Sequence, residues 1–173
     1  HGDWFVLPGR AENCAARRNR AFASARLWAQ AQCWAARIAA LPFVRMVAIT
    51  GALSMNNAPN HDDIDLFLIT QPRRVWLTRA MTVGMVRLAR LAGTGLCPNY
   101  VLAVTALAQT QQNLFIAHEI AQMVPLFGDE VYHQLRAANG WTEHWLPNAS
   151  GPPQLPIMPT PLGGKALQAK HGA

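Results

Sequence analysis

The sequence predicts an α/β fold of the α+β type, in which a small mixed β-sheet is flanked by helices. Three observations support this prediction. Residues 43–50 and 63–70 are rich in β-branched and apolar residues, as are strands with a buried face. Residues 11–40 contain neither Gly nor Pro and carry apolar residues at three- and four-residue steps, which favours a long helix. Residues 73–92 repeat this helical pattern after the second strand.

Composition limits the classes of protein to which the chain can belong. Its 173 residues suit one compact domain. Fifteen Lys and Arg against nine Asp and Glu give a formal charge of +6, and thirteen of the fifteen are arginine, which favours anionic partners such as nucleotides, nucleic acids or acidic membranes. The three cysteines are widely spaced, which indicates reduced thiols in a cytoplasmic protein. Because no apolar run reaches about twenty residues, no membrane span is expected.

The part of the chain before the first strand divides into a short N-terminal segment and a long helix. Residues 1–10 are similar to the wing of a winged-helix module, and because the chain opens with His1 they are interpreted as the remnant of a preceding module. In the helix at 11–40, an apolar stripe is expected to face the core and a basic face to meet solvent. Leu41-Pro42 ends this helix and leads into the first strand.

The second half of the chain predicts further helices and one more strand. The basic amphipathic helix at 73–92 has the character of a helix that binds membranes or nucleic acids, but covering the sheet is the favoured interpretation. A third strand is predicted at 99–107, and helices at 113–126, with Asn113 as a candidate cap, and at 129–139. Pro and Gly dominate residues 147–173, which we interpret as a C-terminal tail.

The strongest chemical signal is a pair of aspartates at the start of the second strand. Side chains alternate across a strand, so Asp63 and Asp65 are expected on one face, about 7 Å apart, with Asp62 pointing away. Two carboxylates side by side repel each other, and a divalent cation removes that repulsion. Gly51 follows the first strand, where backbone N–H groups can approach a phosphate closely. The pattern indicates a site for a phosphate and a metal.

These residues resemble the signature of the nucleotidyltransferase superfamily with the polymerase-β-like fold. The matching segments are Ile49-Thr50-Gly51-Ala52, a spacer from Leu53 to Asp62, and Asp63-Ile64-Asp65-Leu66. Ala52 stands where that superfamily usually has Ser, and Ser54 is the candidate to supply the missing hydroxyl. The resemblance implies that residues 11–146 form a domain like those of uncharacterised prokaryotic nucleotidyltransferase-like proteins.

The resemblance also implies an activity and the residues that perform it. A nucleoside monophosphate would pass from a nucleoside triphosphate, for example ATP, to an acceptor hydroxyl on a nucleic acid, a small molecule or a protein. Asp63 and Asp65 would be catalytic and would hold Mg²⁺ or Mn²⁺. Gly51, Ala52 and Ser54 would bind the phosphates of the nucleotide.

One element of the superfamily pattern is missing from the expected place. Active members usually carry a third acidic residue on a following strand, and the predicted strand at 99–107 contains none. Asn99 takes that position in the sequence. Glu119 is the next acidic residue, and it could reach the site only if its predicted helix packs against the open face of the sheet. His118, its neighbour, is interpreted as a packed or surface residue.

Two alternatives to an active nucleotidyltransferase remain open from the sequence. The first is a catalytically degenerate nucleotide-binding or regulatory module in a toxin–antitoxin or transcriptional context. The second is an Arg-rich protein that binds nucleic acid or anionic membrane through Arg17–Arg26 and Arg73–Arg90. A binding module of the second kind would be indifferent to magnesium.

Overall fold

The computed structural model describes residues 5–151 and residue 153, and it confirms an α+β fold. Expectations for residues 1–4, 152 and 154–173 lie outside the described residues. The elements in chain order are α1 (Glu12–Ala39), β1 (Val44–Ile49), α2 (Gly51–Ser54), β2 (Ile64–Thr70), α3 (Val75–Leu91), β3 (Leu96–Ala103), α4 (Leu114–Ala121), β4 (Val124–Phe127), α5 (Asp129–Ala138) and α6 (Thr142–Trp145). They fall within the predicted domain at 11–146, whose boundaries stay a prediction.

The four strands form one mixed sheet in the order β3-β2-β1-β4. β1 runs antiparallel to both β2 and β4, and β2 runs parallel to β3 through the crossover helix α3. The two predicted catalytic strands are therefore the central pair, while β3 and β4 are the edges.

Each face of the sheet has its own hydrophobic core, because β1 and β2 alternate their side chains between the two faces. One core joins Ile64, Leu66 and Leu68 of β2 to α1 and to part of α3. The other joins Phe67 and Ile69 of β2 to α4 and α5. Alternation along β2 thus places Asp65 on the face that α4 and α5 cover.

Two predicted elements differ from the structure. The helix predicted at 113–126 ends at Ala121, and residues Val124–Phe127 form the edge strand β4. Pro125 fits there because an edge strand needs no N–H donor on its outer side. The third strand begins at Leu96 and ends at Ala103, earlier than predicted, because Pro98 obscured its start. The Asn113 cap is confirmed, since its side chain accepts a hydrogen bond from Ile116 N at 3.0 Å.

None of the helices in the described part of the chain combines the length and the apolar composition needed to cross a lipid bilayer.

Candidate functional site

The carboxylate of Asp65 lies directly against the backbone of the turn that follows β1. Gly51 has φ +66°, and a Cβ atom there would lie 2.1 Å from Asp65 Oδ2. Thr50 N donates to Asp65 O at 3.1 Å, so the pairing between the two strands continues up to the turn. The left-handed conformation favours glycine at position 51, and a Cβ atom there would need the Asp65 carboxylate to shift.

The other two predicted phosphate-binding residues build this turn. Ser54 is fully buried, and its hydroxyl donates to Gly51 O at 2.7 Å. The carbonyl of Ala52 accepts from Asn57 N at 2.9 Å. The structure therefore gives both residues a role in holding the loop together, while phosphate binding by Gly51, Ala52 and Ser54 stays a prediction.

Asn99 lies beside Asp65, as its position in the sequence suggested. Its Nδ2 donates to Asp65 Oδ1 at 3.0 Å, and its Oδ1 accepts from Cys97 Sγ at 3.0 Å. Leu66 pairs with Pro98 and Phe67 with Tyr100, so Asn99 is the extra residue of a β-bulge in β3. Bulges of this kind redirect a side chain. Asn99 thus presents its N–H, and not its oxygen, to Asp65.

Asp63 lies immediately before β2 and against the start of β3. A Cβ atom on Gly95 would lie 1.8 Å from Asp63 Oδ1. Asp63 is exposed, Asp65 is half-buried and Ile64 between them is fully buried, which is the predicted alternation. Both carboxylates raise the pKa of Cys97, although burial of the thiol raises it more. The two aspartates therefore act on one common neighbour.

The expectation that Asp62 points away from the pair stays a prediction, but its charge acts on Asp65. Burial is the main cause of the raised pKa of Asp65, and the charge of Asp62 is the next largest, ahead of that of Asp63. The hydrogen bond from Asn99 acts in the opposite direction and lowers the pKa. The loop before β2 thus brings a third negative charge towards Asp65, because residue 62 lies outside the strand and is not bound by its alternation.

Glu119 reaches the site because α4 packs on the open face of the sheet. The buried side of α4, formed by Ile116 and Ile120, contacts the core that lies over β1 and β2. Burial raises the pKa of Glu119, the nearby charge of Asp65 raises it further, and Thr50 and His118 lower it. A third carboxylate therefore lies near Asp65, and its use in place of an acidic residue on β3 stays a prediction.

Thr50 belongs to the segment Ile49-Thr50-Gly51-Ala52 that matches the superfamily signature, although no role was predicted for its side chain. Thr50 is only 1% exposed, and its Oγ1 has no hydrogen-bond partner. Glu119 Oε2 is likewise buried without a partner. The two groups are close enough for Thr50 to lower the pKa of Glu119, but they do not meet the geometry of a full hydrogen bond. Buried polar atoms left unpartnered in this way are candidates for contact with a ligand or an ion.

The neighbours of Glu119 have partners of their own. His118 Nδ1 lies 2.8 Å from Gln122 Nε2 at the C-cap of α4, and this half-buried histidine lies between the packed and surface positions expected of it. Tyr100 stacks on Phe67 with ring centroids 5.0 Å apart. Burial raises the pKa of Tyr100, and the charge of Glu119 raises it further. Tyr100 therefore lies near Glu119 while its ring packs on the core residue Phe67.

The donor set fits a hard cation that a substrate helps to bind. Within residues 5–151, no group of three or more His, Cys, Asp or Glu side chains is arranged to hold a metal by itself. Mg²⁺ is commonly bound through one or two carboxylates together with substrate phosphates, and it does not need a cage made only of protein. Asp63 and Asp65 supply carboxylates of that kind, and the acidic surroundings favour a cation there.

The fold and the site define an α+β protein with an acidic cluster at one end of a four-stranded mixed sheet. No protein-family model matches the chain, and no curated protein is significantly similar to it. A solved structure, the crystal structure of a toxin-antitoxin with AMP-PNP, aligns with a TM-score of 0.39 and 10% sequence identity over 65% of this chain and 90% of that chain. Similarity at this level does not establish a shared fold or function.

Proposed function

We propose that the chain is a metal-dependent nucleotidyltransferase that moves a nucleoside monophosphate from a nucleoside triphosphate to an acceptor hydroxyl, with pyrophosphate as the leaving group. The observation that carries the proposal is the seating of the Asp65 carboxylate on the Gly51 turn, with Glu119 and Asp63 around it. A glycine turn beside two carboxylates offers phosphate contacts and cation ligands in one place. The resemblance of residues 49–66 to the superfamily signature supports the same assignment.

The carboxylates would bind the cation, and the cation and the backbone of the Gly51 turn would bind the triphosphate. Mg²⁺ held there would neutralise charge on the triphosphate and lower the pKa of the acceptor hydroxyl. Asp63 and Asp65 would hold it through carboxylate oxygens, and Asn99 orients Asp65 by its 3.0 Å hydrogen bond. The backbone N–H groups of Gly51 and Ala52 would contact phosphate oxygens, which bear the charge that develops in the transition state.

Glu119 would accept the proton of the attacking hydroxyl. Its pKa is raised above the ordinary glutamate value, chiefly by burial, and a raised pKa makes a carboxylate a better proton acceptor near neutral pH. Its Oε2 is the buried, unpartnered atom suited to that proton. Thr50 would position the carboxylate from the adjoining turn.

Calorimetric titration with a non-hydrolysable nucleoside triphosphate, with and without Mg²⁺, tests the proposal. We expect Mg²⁺-dependent binding to fall at least about tenfold in Asp63→Asn and Asp65→Asn, since each change removes one charged ligand. Asp129→Asn is the matched control, because Asp129 is 81% exposed on α5 and pairs only with His133 among the contacts described. Equal binding by all four proteins would refute the proposal.

A catalytically degenerate nucleotide-binding module is the second candidate, and the orientation of Asn99 favours it. The amide directs its N–H at Asp65, so it supplies neither a charged metal ligand nor a proton acceptor at that point. This candidate predicts Mg²⁺-dependent nucleotide binding without turnover across a panel of labelled triphosphates and acceptors. Turnover that is lost in Glu119→Gln, and retained in the exposed control Glu130→Gln, would exclude it.

The Arg-rich nucleic-acid alternative has less support from the described contacts. Arg17 donates to Met55 O at 2.9 Å and Arg26 to Asn60 O at 3.3 Å, so two arginines of the proposed binding face hold the loop between α2 and β2. A cavity of about 480 Å³ beside α1 is lined in part by Arg17 and Arg20. Nucleic-acid binding that is unchanged by Mg²⁺ and by Asp65→Asn would favour this alternative.

A further inference from the structure

Helix α3 presents several large apolar side chains to solvent, while Met85 and Val86 pack partly buried against the core and its fully buried residues are small. The buried residues of α3 are Thr78, Thr82 and Ala89. Its exposed apolar residues are Trp76, Leu77, Val83, Leu88 and Leu91, of which Trp76 is 82% and Leu91 87% exposed. A helix whose only task is to cover a sheet would turn leucine and tryptophan inward. α3 does cover the sheet, as predicted, but its outer face is apolar too.

The same outer face is strongly basic. Arg79, Arg87 and Arg90 are exposed on α3, and Arg73 and Arg74 are exposed just before it. The helix contains no acidic residue. At 100° per residue, Leu77, Leu88 and Leu91 fall within about 60° of one another. Arg87 lies about 40° beyond Leu91, and Trp76 and Arg90 follow at about 60° and 100° beyond it. We call this exposed surface the α3 face; it is formed by Trp76, Leu77, Arg87, Leu88, Arg90 and Leu91.

We propose that the α3 face docks on an anionic phospholipid surface. Leucine and tryptophan side chains would enter the boundary between headgroups and acyl chains, while the flanking arginines would contact lipid phosphates. The seventeen residues of α3 make a ridge about 26 Å long, which can lie flat in that boundary. This inference is independent of the proposed nucleotidyl transfer.

Charge decides between the possible occupants of the α3 face. A second copy of the chain would bring two sets of arginines together with no acidic residue on either helix, which opposes a symmetric pairing. A nucleic acid would use the arginines but would leave the exposed leucines without apolar contact. An anionic bilayer satisfies both kinds of side chain, because it offers a uniformly negative surface over an apolar interior.

Vesicle flotation with the full chain tests the proposal. We expect binding to vesicles of 70% phosphatidylcholine and 30% phosphatidylserine, and none to vesicles of phosphatidylcholine alone. Leu88→Gln/Leu91→Gln should weaken binding at least about tenfold, because the change removes inserted apolar area. The matched control is Phe22→Gln, which removes an exposed aromatic residue from α1 and should leave binding unchanged. Glutamine preserves helix propensity, so the variants are expected to fold, which circular dichroism verifies.

A second pair of variants separates docking from general attraction to negative charge. Arg87→Gln/Arg90→Gln should bind about thirty-fold more weakly, at roughly fivefold for each arginine. Arg18→Gln/Arg20→Gln removes the same charge from exposed positions on α1 and should have little effect. Three results would overturn the proposal: no binding to anionic vesicles, equal losses in the two arginine variants, or retained binding in the leucine variant. Dimerisation through α3 in analytical ultracentrifugation, abolished by the leucine variant, would show instead that a second copy covers this face.

Discussion

The two ends of β2 have opposite surroundings although they belong to one strand of seven residues. At the far end, Phe67 and Ile69 are covered by α4 and α5, and Leu68 is covered on the other face. At the near end, Asp65 shares a face with Phe67, yet it carries a half-buried carboxylate with a raised pKa. One strand therefore supports both a core and a candidate active site.

The difference shows where the helical cover of the sheet ends. Ile116 and Ile120 of α4 lie over the apolar part of the face. Glu119 of the same helix lies near Asp65, so the side chain that α4 contributes there is polar. Partly burying a carboxylate costs free energy, and the hydrogen bond from Asn99 offsets this only in part, because the pKa of Asp65 stays raised. We therefore expect the near end of β2 to lower the free energy of unfolding, and the apolar packing at its far end to compensate for that loss.

Phe67→Ala provides the largest expected contrast. Phe67 is 1% exposed and stacked on Tyr100, so truncation should lower the free energy of unfolding by about 3–5 kcal/mol. Asp65→Asn, two residues earlier on the same face, should leave stability unchanged or raise it in metal-free buffer, because it removes a half-buried charge among like charges. Urea denaturation of both variants measures the contrast. A larger loss in Asp65→Asn would mean that the acidic end stabilises the fold.

Gly51→Ala should have the next largest effect, and Gly93→Ala is its matched control. Both glycines have positive φ, +66° and +75°, so each alanine variant pays about 1–2 kcal/mol for the left-handed conformation. A Cβ atom at Gly51 also collides with the Asp65 carboxylate, whereas one at Gly93 meets nothing within 4 Å. Gly51→Ala should therefore cost more than Gly93→Ala, and it alone should weaken Mg²⁺-dependent nucleotide binding.

Thermal unfolding of these variants and of Gly51→Ala/Asp65→Ala separates the two contributions. In the Asp65→Ala background the carboxylate is gone. There, Gly51→Ala should lower the melting temperature about as much as Gly93→Ala lowers that of the wild type. Equal melting temperatures for the two single glycine variants would show that Asp65 does not need the space above the turn.

The pH dependence of stability should report the raised pKa of Glu119. From about pH 4.3, the ordinary glutamate value, the unfolded chain releases this proton while the folded protein keeps it. Stability contributed by the bound proton is therefore fully present below that pH and is lost as the pH rises through the raised folded value. Glu119→Gln should have a flatter melting-temperature profile over this range, and exposed Glu130→Gln should follow the wild type. Parallel profiles for all three proteins would contradict a raised pKa.

The sequence predicted the centre of this fold better than its cover. β1, β2 and the crossover helix α3 follow from local periodicity, and Gly51 from the need for a tight turn. The edge strand β4 was missed because four residues with a proline carry little pattern of their own. Thr50 and Glu119 meet only because α4 folds across β1 and β2, about seventy residues apart in the chain, and no local pattern encodes that contact.

Asn99→Asp is expected to lower stability less than Phe67→Ala or Gly51→Ala, and it is the most informative variant for function. The bulge in β3 aims this side chain at Asp65, so an aspartate there would replace an attractive hydrogen bond by repulsion between like charges. In metal-free buffer we expect a loss of about 1 kcal/mol, since one hydrogen bond at an exposed residue is removed. Saturating Mg²⁺ should reverse the loss, because a cation bound by the folded site stabilises that state. Calorimetry and turnover of labelled triphosphates complete the comparison. Tighter Mg²⁺ binding with unchanged turnover would mean that Asp63, Asp65 and Glu119 already suffice for activity. Turnover gained only in Asn99→Asp would identify a degenerate site that lacks one charge. If Mg²⁺ stabilises neither the variant nor the wild type, the near end of β2 is not a cation site.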